Sequence, residues 1–359
     1  MRLARILAVA TVVLTACVQA PVPTAATREA GGPPATPGIS AGASSVALPK
    51  PEVTALRVGS AAHEADGYAP EFANYLGLYQ NYGFERVETH FFDGDARGRQ
   101  ALLAGQVDVL EASAGSAISA LGTDSPLVMV AMFVNHPTDD LVSVPTVKTV
   151  DDLKGKTVAV STFGGDSHAS VLLSLKTLGL QSSDVTILQV GGESARIAAL
   201  LAGSVAAAAV DDSNEDTVKG QGLTVLVHLA DAPATLARAG LLVRRDWAAQ
   251  HPDTVLDVVA ASLEAQQRMY TDTDVAIDGF ARWAQTKDRA GAAKEVRGFL
   301  RVGQRDLRTT PDGWENLREV MATVDPRLKD VDVTTAYTYE YLDKLKALGF
   351  DRSVGVPGA

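Results

Sequence analysis

Two stretches of the chain match each other by eye, ALLAGQVDVLEA at 101–112 and ALLAGSVAAAAVDD at 199–212, and Leu103 and Leu201 stand 98 positions apart. Ala, Leu and Gly are common enough here that one short match carries little alone. It gains force from its surroundings, because both copies occupy the same place in a strand–helix–strand–helix–strand unit. In the first unit, β-rich runs at 54–59, 86–92 and 107–111 alternate with helical patterns at 70–82 and 96–104, which stop at Gly83 and Gly105. In the second, runs at 157–161, 185–190 and 205–210 alternate with helical patterns at 166–178 and 195–202, which stop at Gly179 and Gly203. Glycine is the residue most at ease in the left-handed conformation that closes a helix. Strands alternating with helices of this length predict an α/β chain with mostly parallel sheets flanked by helices. Two similar lobes are expected, the first from 53–140 and 241–359 and the second from 141–240.

After about residue 240 the pattern changes. AGLLVRRDW predicts one short strand, and helices then dominate to the end, one of them over 253–269 with Pro252 at a first-turn position. Near the end, Tyr337, Tyr341, Leu342, Leu345 and Leu348 share one helical face and read as packing.

The first seventeen residues speak to compartment. Arg2 and Arg5 precede an apolar run, 6–16, that is too short to span a bilayer. The run closes on Leu14-Thr15-Ala16-Cys17, which resembles a bacterial lipoprotein signal. Residues 1–16 are expected to be an export signal and Cys17 the diacylated residue. Cys17 is the single cysteine of the chain, so the exported part has no disulfide and no thiolate chemistry. Residues 17–52 are rich in Pro, Ala, Gly, Thr and Ser and cannot bury enough apolar surface to offset their ordering entropy, so they read as a disordered tether. The formal charge of −11 becomes −13 once Arg2 and Arg5 are lost with the signal. An acidic domain of this kind is not expected to bind nucleic acid, or to meet the membrane except through its lipid. The expectation is an extracytoplasmic, lipid-anchored monomer.

Chemistry concentrates in STFGGDSHA at 161–169. Gly165-Asp166-Ser167 has the look of the start of a GDSL-type esterase block, but His168 stands where Leu belongs. A serine nucleophile needs a histidine base oriented by a carboxylate. Farther downstream only His228 and His251 remain, and the positions three before them are Val225 and Ala248, so the Asp-x-x-His of that family is missing. The six histidines, at 63, 90, 136, 168, 228 and 251, form no i, i+3 or i, i+4 pair, and although His63 and His168 each follow the first strand of a lobe, no metal is indicated. Gly164-Gly165 lacks the spaced glycines and Lys-Ser/Thr ending of a phosphate loop. No cofactor is implied. What the stretch does support is a strand feeding a glycine turn that opens a helix, the edge at which open α/β sheets bind ligands. GSAAHEADGY at 59–68 is its counterpart in the first lobe. Two such edges facing each other make a cleft that closes on a small molecule.

The stretches FANYLGLYQNYGFERVETHFFDG, ALLAGQVDVLEASAGSAISA, DDLKGKTVAVSTFGGDS, SLKTLGL, ALLAGSVAAAAVDD and LLVRRDWAAQHPDTVLDVVAASLEA run in order over about 54–270. They resemble the solute-binding proteins of bacterial ABC importers for sulfonate, taurine, nitrate and thiamine-pyrimidine precursors, with the type II periplasmic-binding fold. The resemblance implies a binding protein, not an enzyme, with a small-molecule ligand and a membrane permease as partners. It also implies crossings between lobes near 136–148 and 230–241. The ligand-gripping loops then carry over to Ser60 and Ala61, to Glu111, Ser113 and Ala114, to Ser161, Thr162, Gly164 and Gly165, and to Asp211. A sensory or scaffold lipoprotein using the same cleft is the second reading, and an exported hydrolase the third.

The chain departs from the family in two respects. Ala206 stands where the first repeat has Asp108. The cleft edge is rich in acids (Glu64, Asp66, Glu111, Asp166, Asp211, Asp212) and shows no Arg or Lys, which suits an amine or nitrogen heterocycle better than a sulfonate. Asp66 and Asp166 stand equally well as helix caps. Glu111 and Asp211 are the preferred partners of a ligand nitrogen, with Tyr68 and Phe163 either stacking on its ring or packing.

Overall fold

From β1 to β3 the elements follow the alternation expected, with one break. Strand β1 (Ala55–Ser60) is followed by a 3-10 turn at Ala65–Gly67 and by helix α1 (Ala69–Tyr75) and the short α2 (Leu78–Asn81), which Gly77 (φ 70°) separates where a single helix over 70–82 is predicted. Next come β2 (Arg86–Phe91), α3 (Asp95–Leu103), β3 (Val109–Ser113), α4 (Ala114–Leu121), β4 (Leu127–Met132) and β5 (Asp139–Ser143). The second unit runs β6 (Thr157–Val160), α5 (Asp166–Thr177), β7 (Thr186–Gln189), α6 (Glu193–Leu201), β8 (Ala207–Asp211), α7 (Glu215–Gly220) and β9 (Thr224–Val227). Strand β10 (Ala239–Arg244) leads into α8 (Arg245–Gln250), α9 (Pro252–Thr271), α10 (Thr273–Trp283), α11 (Arg289–Val302), α12 (Pro311–Ala322), α13 (Glu340–Ala347) and α14 (Phe350–Ser353). These assignments come from a computed structural model that describes residues 46–61, 64–92, 94–122, 126–229 and 235–359. The expected signal, Cys17, most of the tether and His63 lie outside the described residues. Among those described, no helix is long and apolar enough to cross a membrane.

The strands form two five-stranded sheets with the same plan, β2-β1-β3-β10-β4 and β7-β6-β8-β5-β9. Within each, the three strands of the repeated unit pair in parallel, and one strand arriving from the other half of the chain runs antiparallel between its neighbours. The sheets are therefore mixed, with four of five strands pointing one way. The chain leaves the first sheet after Met132, enters the second at Asp139, and returns between Val227 and Ala239.

Burial explains the composition of the strands. Ala207 and Ala209 of β8 face a core with Leu141, Val158, Val160 and Leu175, while Ala208 and Val210 face another with Ala159, Leu200 and Val218. A strand covered on both faces reads as a continuous apolar run, as AAAAVD does here. The first sheet is covered on one face by the helices that follow β10, above all α9, fifteen of whose residues are buried. Its other face packs against Trp314, Leu317 and Met321 of α12, which also reaches α5 of the second lobe.

Candidate functional site

The antiparallel strands decide what reaches the cleft. Because β10 runs against β3, its first residue, Ala239, lies beside Ser113 at the carboxyl end of β3, and β5 likewise sets Asp139 beside Asp211. Arg238, immediately before β10, is thereby delivered to the same edge as the loops after β1 and β3. It is 2% exposed and stands among acids of both lobes. Its Nε donates to Asp66 at 2.6 Å, its Nη1 to Asp139 at 2.7 Å, and Nη2 lies 3.5 Å from Glu64. Its carbonyl accepts the Ala114 N–H at 2.5 Å, which ties the crossing to the start of α4.

The expectation of a cleft edge without arginine is thus corrected. The acids nonetheless exceed the cations. Burial, with Asp66 beside it, pushes the Glu64 carboxyl well up despite Arg238, and burial does the same to Asp166. Burial and Asp211 raise Glu193 to about 7 and Glu295 to about 8, and burial, with Asp139 nearby, raises Asp211 to about 6. Asp139 goes the other way: burial opposes its charge, but Arg238, Arg196 and a hydrogen bond from Ser170 (2.8 Å) outweigh it and hold the carboxyl below its usual range.

Neither Asp66 nor Asp166 caps a helix. Glu64 and Gly165 occupy the cap positions without side-chain cap bonds, Asp66 pairs with Arg238, and Asp166 lies in the first turn of α5. The preference for Glu111 as a ligand partner is overturned. It is 5% exposed, its carboxylate accepts from Ser60 Oγ (3.0 Å) and the Ala61 N–H (3.2 Å), and Gly67 leaves room for it beneath the turn. Burial raises it to about 8. Tyr68 is also corrected: it is 0% exposed, and Phe72, Phe280 and Trp283 take its ring, so no face remains for a ligand. Asp211 stays at the edge, accepting from Thr138 Oγ1 (3.0 Å) and the Ser213 N–H (3.0 Å). Ser113 caps α4 through the Ser116 N–H, at 3.3 Å, beside Ala114.

In the turn after β6, Ser167 Oγ accepts the Ser161 N–H at 2.7 Å and pairs with the Ser161 hydroxyl at 2.7 Å. His168 Nδ1 accepts the Gly164 N–H at 3.0 Å. The serine and histidine therefore hold the turn and do not serve each other as nucleophile and base, which removes the hydrolase reading. No group of three or more metal-binding side chains gathers among the described residues.

The lobes meet along this turn. A Cβ at Gly94 would lie 2.8 Å from Thr162 Cγ2, one at Gly165 would lie 2.6 Å from Asp95, and one at Gly115 would run into the Gly164 carbonyl oxygen. Glycine permits this approach. On the far side of the cleft, Ser213 Oγ donates to Glu295 at 2.6 Å and Arg301 pairs with Asp212 at 3.1 Å, joining β8's end to α11. Sequence reasoning missed Arg238, Asp95, Glu193 and Glu295. Extending the self-match eight residues upstream of Leu103 and Leu201 aligns Asp95 with Glu193, a signal that was present.

The chain matches the model of the NMT1/THI5-like family over residues 72–276, more than half its length. The riboflavin-binding protein RibY of Chloroflexus aurantiacus is 26% identical over 351 residues, covering 92% of this chain and 94% of the relative. Among solved structures, the alkanesulfonate-binding protein SsuA of Xanthomonas axonopodis pv. citri, bound to MOPS, superposes with a TM-score of 0.66 at 20% identity, over 80% of this chain and 99% of that one. The periplasmic nitrate-binding protein NrtA of Synechocystis PCC 6803 gives 0.66 at 15% identity, over 87% and 93%. These two likenesses concern the fold.

Proposed function

The chain belongs to the NMT1/THI5-like family, and from that premise we propose that it is the solute-binding protein of an ABC importer, taking a nitrogen heterocycle between its lobes and handing it to a membrane permease. The observation that carries the reading is the convergence of both lobes on Arg238. The loop after β1, the start of α4 after β3 and the first residue of β5 all bond Arg238, Asp166 at the start of α5 is close enough to act on its charge, and two crossings join the lobes as a hinge would. A ligand touching both edges would favour the closed arrangement and so shift the population toward it.

The ligand class rests on two supports. RibY, similar over nearly the whole chain, is named for binding riboflavin, a nitrogen heterocycle. Arg238 is already paired with Asp66 and Asp139, which leaves it little charge to offer a sulfonate or nitrate. Ser60, Ala61, Glu64, Ser113, Ala114, Ser161, Thr162, Gly164, Gly165 and Asp211 remain the proposed lining. Residues 1–16 as signal, Cys17 as lipid anchor, an extracytoplasmic location and a monomeric state belong to the same proposal.

A thermal-shift screen of the full chain tests it, using riboflavin, aminopyrimidines, polyamines, alkanesulfonates and nitrate. A heterocycle at a hundred times its dissociation constant stabilises by about 2.7 kcal/mol. A response to sulfonate or nitrate alone, or to none of the panel, would overturn the ligand class.

A further inference from the structure

Helix α11 is built into the first lobe, where Ala292, Ala293, Val296 and Phe299 are buried in the core. Another side of the same helix reaches the second lobe. Glu295 accepts from Ser213 Oγ at 2.6 Å, Arg301 pairs with Asp212 at 3.1 Å, and Lys294 pairs with Asp216 at 3.3 Å. Lys294 and Arg301 lie two helical turns apart on the solvent side, and their side chains are 41% and 68% exposed. Glu295 falls between that side and the buried one, so its bond to Ser213, itself 6% exposed, is sheltered from water.

The receiving end is firmly held. The Asp212 N–H donates to the Thr138 carbonyl at 2.9 Å, the Ser213 N–H to Asp211 at 3.0 Å, and Asn214 Nδ2 to Glu193 at 3.1 Å. A pull on Ser213 therefore passes to the ends of β5 and β8 and is not absorbed by a slack loop. Acids crowd this place, yet the contact is not repulsive. Burial, with Asp211 beside it, raises the Glu295 carboxyl to about 8, so at neutral pH it is mostly uncharged among Asp211, Glu193 and Asp66.

We propose that α11 is a closing strap: the Ser213–Glu295 bond, flanked by the Arg301 and Lys294 pairs, holds part of the population closed before any ligand arrives. The proposal rests on the hinged solute-binding reading above and goes beyond it, because the strap acts without touching the proposed lining. A contact made only when the lobes are together stabilises the closed arrangement alone. The apparent dissociation constant is the intrinsic one divided by the closed fraction, so the strap tightens binding from outside the site. Ser213 and Glu295 are on this account positioning residues, two and more positions removed from the lining residue Asp211.

The test is a pulsed dipolar distance measurement on the ligand-free full chain, with spin labels at Glu85→Cys and Lys154→Cys in a Cys17→Ser background. Ser213→Ala deletes the donor hydroxyl and keeps the backbone N–H that Asp211 accepts, and Glu295→Ala deletes the acceptor. Each should raise the ratio of longer to shorter distances by about threefold to tenfold, the worth of one sheltered hydrogen bond. Combining them should add little, since both remove the same bond. Glu295→Gln keeps a neutral acceptor and should stay within about twofold of the wild type. Lys294→Ala with Arg301→Ala should shift the ratio by only about twofold to threefold, a difference that vanishes at about 1 M salt. Fluorescence titration with riboflavin should then show affinity falling in proportion to the closed fraction. Distances that Ser213→Ala and Glu295→Ala leave unchanged would overturn the strap and keep the solute-binding reading. The expected shifts in a chain that does not bind riboflavin would keep the strap and count against the heterocycle.

Discussion

The two lobes repeat each other in detail at an offset of 98 residues, and their differences come in matched sets. In the first, Asp95 at the start of α3 accepts the Ser113 N–H at 2.9 Å; in the second, Glu193 at the start of α6 accepts the Asp211 N–H at 2.7 Å. Ser113 and Asp211 then each cap the helix or turn that follows. The crossing strands obey the same rule, since the Arg238 carbonyl accepts from Ala114 and the Thr138 carbonyl accepts from Asp212. Where the lobes differ, size and charge are exchanged in pairs. Gly98 lies under Leu110 in the first lobe, whereas in the second a buried Arg196 lies over the alanines of β8 and donates to the carbonyls of Ala209 (2.9 Å) and Gly191 (3.1 Å). Asp108 pairs with Arg57 in the first lobe; Ala206 and Thr157, 98 and 100 residues on, are joined by the same backbone bond and are their equivalents. The lesson is that the acid lacking from the second repeat is one half of a strand pair remote from the cleft, and its partner is lacking too.

The size exchange is the most severe test of that comparison. Arg196→Gly should cost about 3–5 kcal/mol, through a cavity and two stranded carbonyls, and Ala208→Leu about 1–3 kcal/mol by overpacking. Combining them copies the first lobe and should recover part of the loss in urea unfolding; simple additivity would mean that the two positions are not a matched set. Next in size, Asp95→Ala and Glu193→Ala should each cost about 1–2 kcal/mol, by similar amounts if the device is the same in both lobes.

The pH dependence is shared by the lobes, with Glu193 and Asp211 in the second and Glu295 and Glu111 in the first. Glu193, Asp211 and Glu295 are held at about 7, about 6 and about 8 in the folded chain, above their unfolded values. A carboxyl raised in this way binds its proton more tightly when folded, so its contribution is complete below about pH 4 and is lost as pH climbs through the folded value. Stability should therefore decline from about pH 4.5 to 8, and Glu193→Gln should flatten the slope in denaturant titrations at fixed pH values. The smallest effect belongs to the strand pair. Arg57→Thr with Asp108→Ala imports the second lobe's arrangement and should cost about 1 kcal/mol, since the Arg57 side chain is 41% exposed.

Much of this plan is legible in the amino-acid sequence. Alternation of strands and helices, the stops at Gly83, Gly105, Gly179 and Gly203, and the turn at 161–165 are local signals, and each depends on residues close together in the chain. Long-range partners are not legible in the same way. Arg238 finds Asp66 and Asp139 across separations of 172 and 99 residues, and nothing around it in the chain marks it as the centre of a charge cluster. Tyr68 follows a cleft loop and so reads as available to a ligand, but Phe280 and Trp283 from a C-terminal helix enclose it. For Glu111 the strand-end position is visible, whereas the direction of its side chain depends on the turn folded over it. Strands β4, β5 and β9 stand outside the repeated alternation, so the pattern that exposes the others passes them by.

The central claim, that the lobes close on a heterocycle, is tested most directly by a distance between them. Spin labels at Glu85→Cys and Lys154→Cys, both exposed and one in each lobe, report it in a Cys17→Ser background. Pulsed dipolar measurements with saturating riboflavin should give one narrow distance, with a longer component present only in its absence. The same distribution with and without riboflavin would contradict the account.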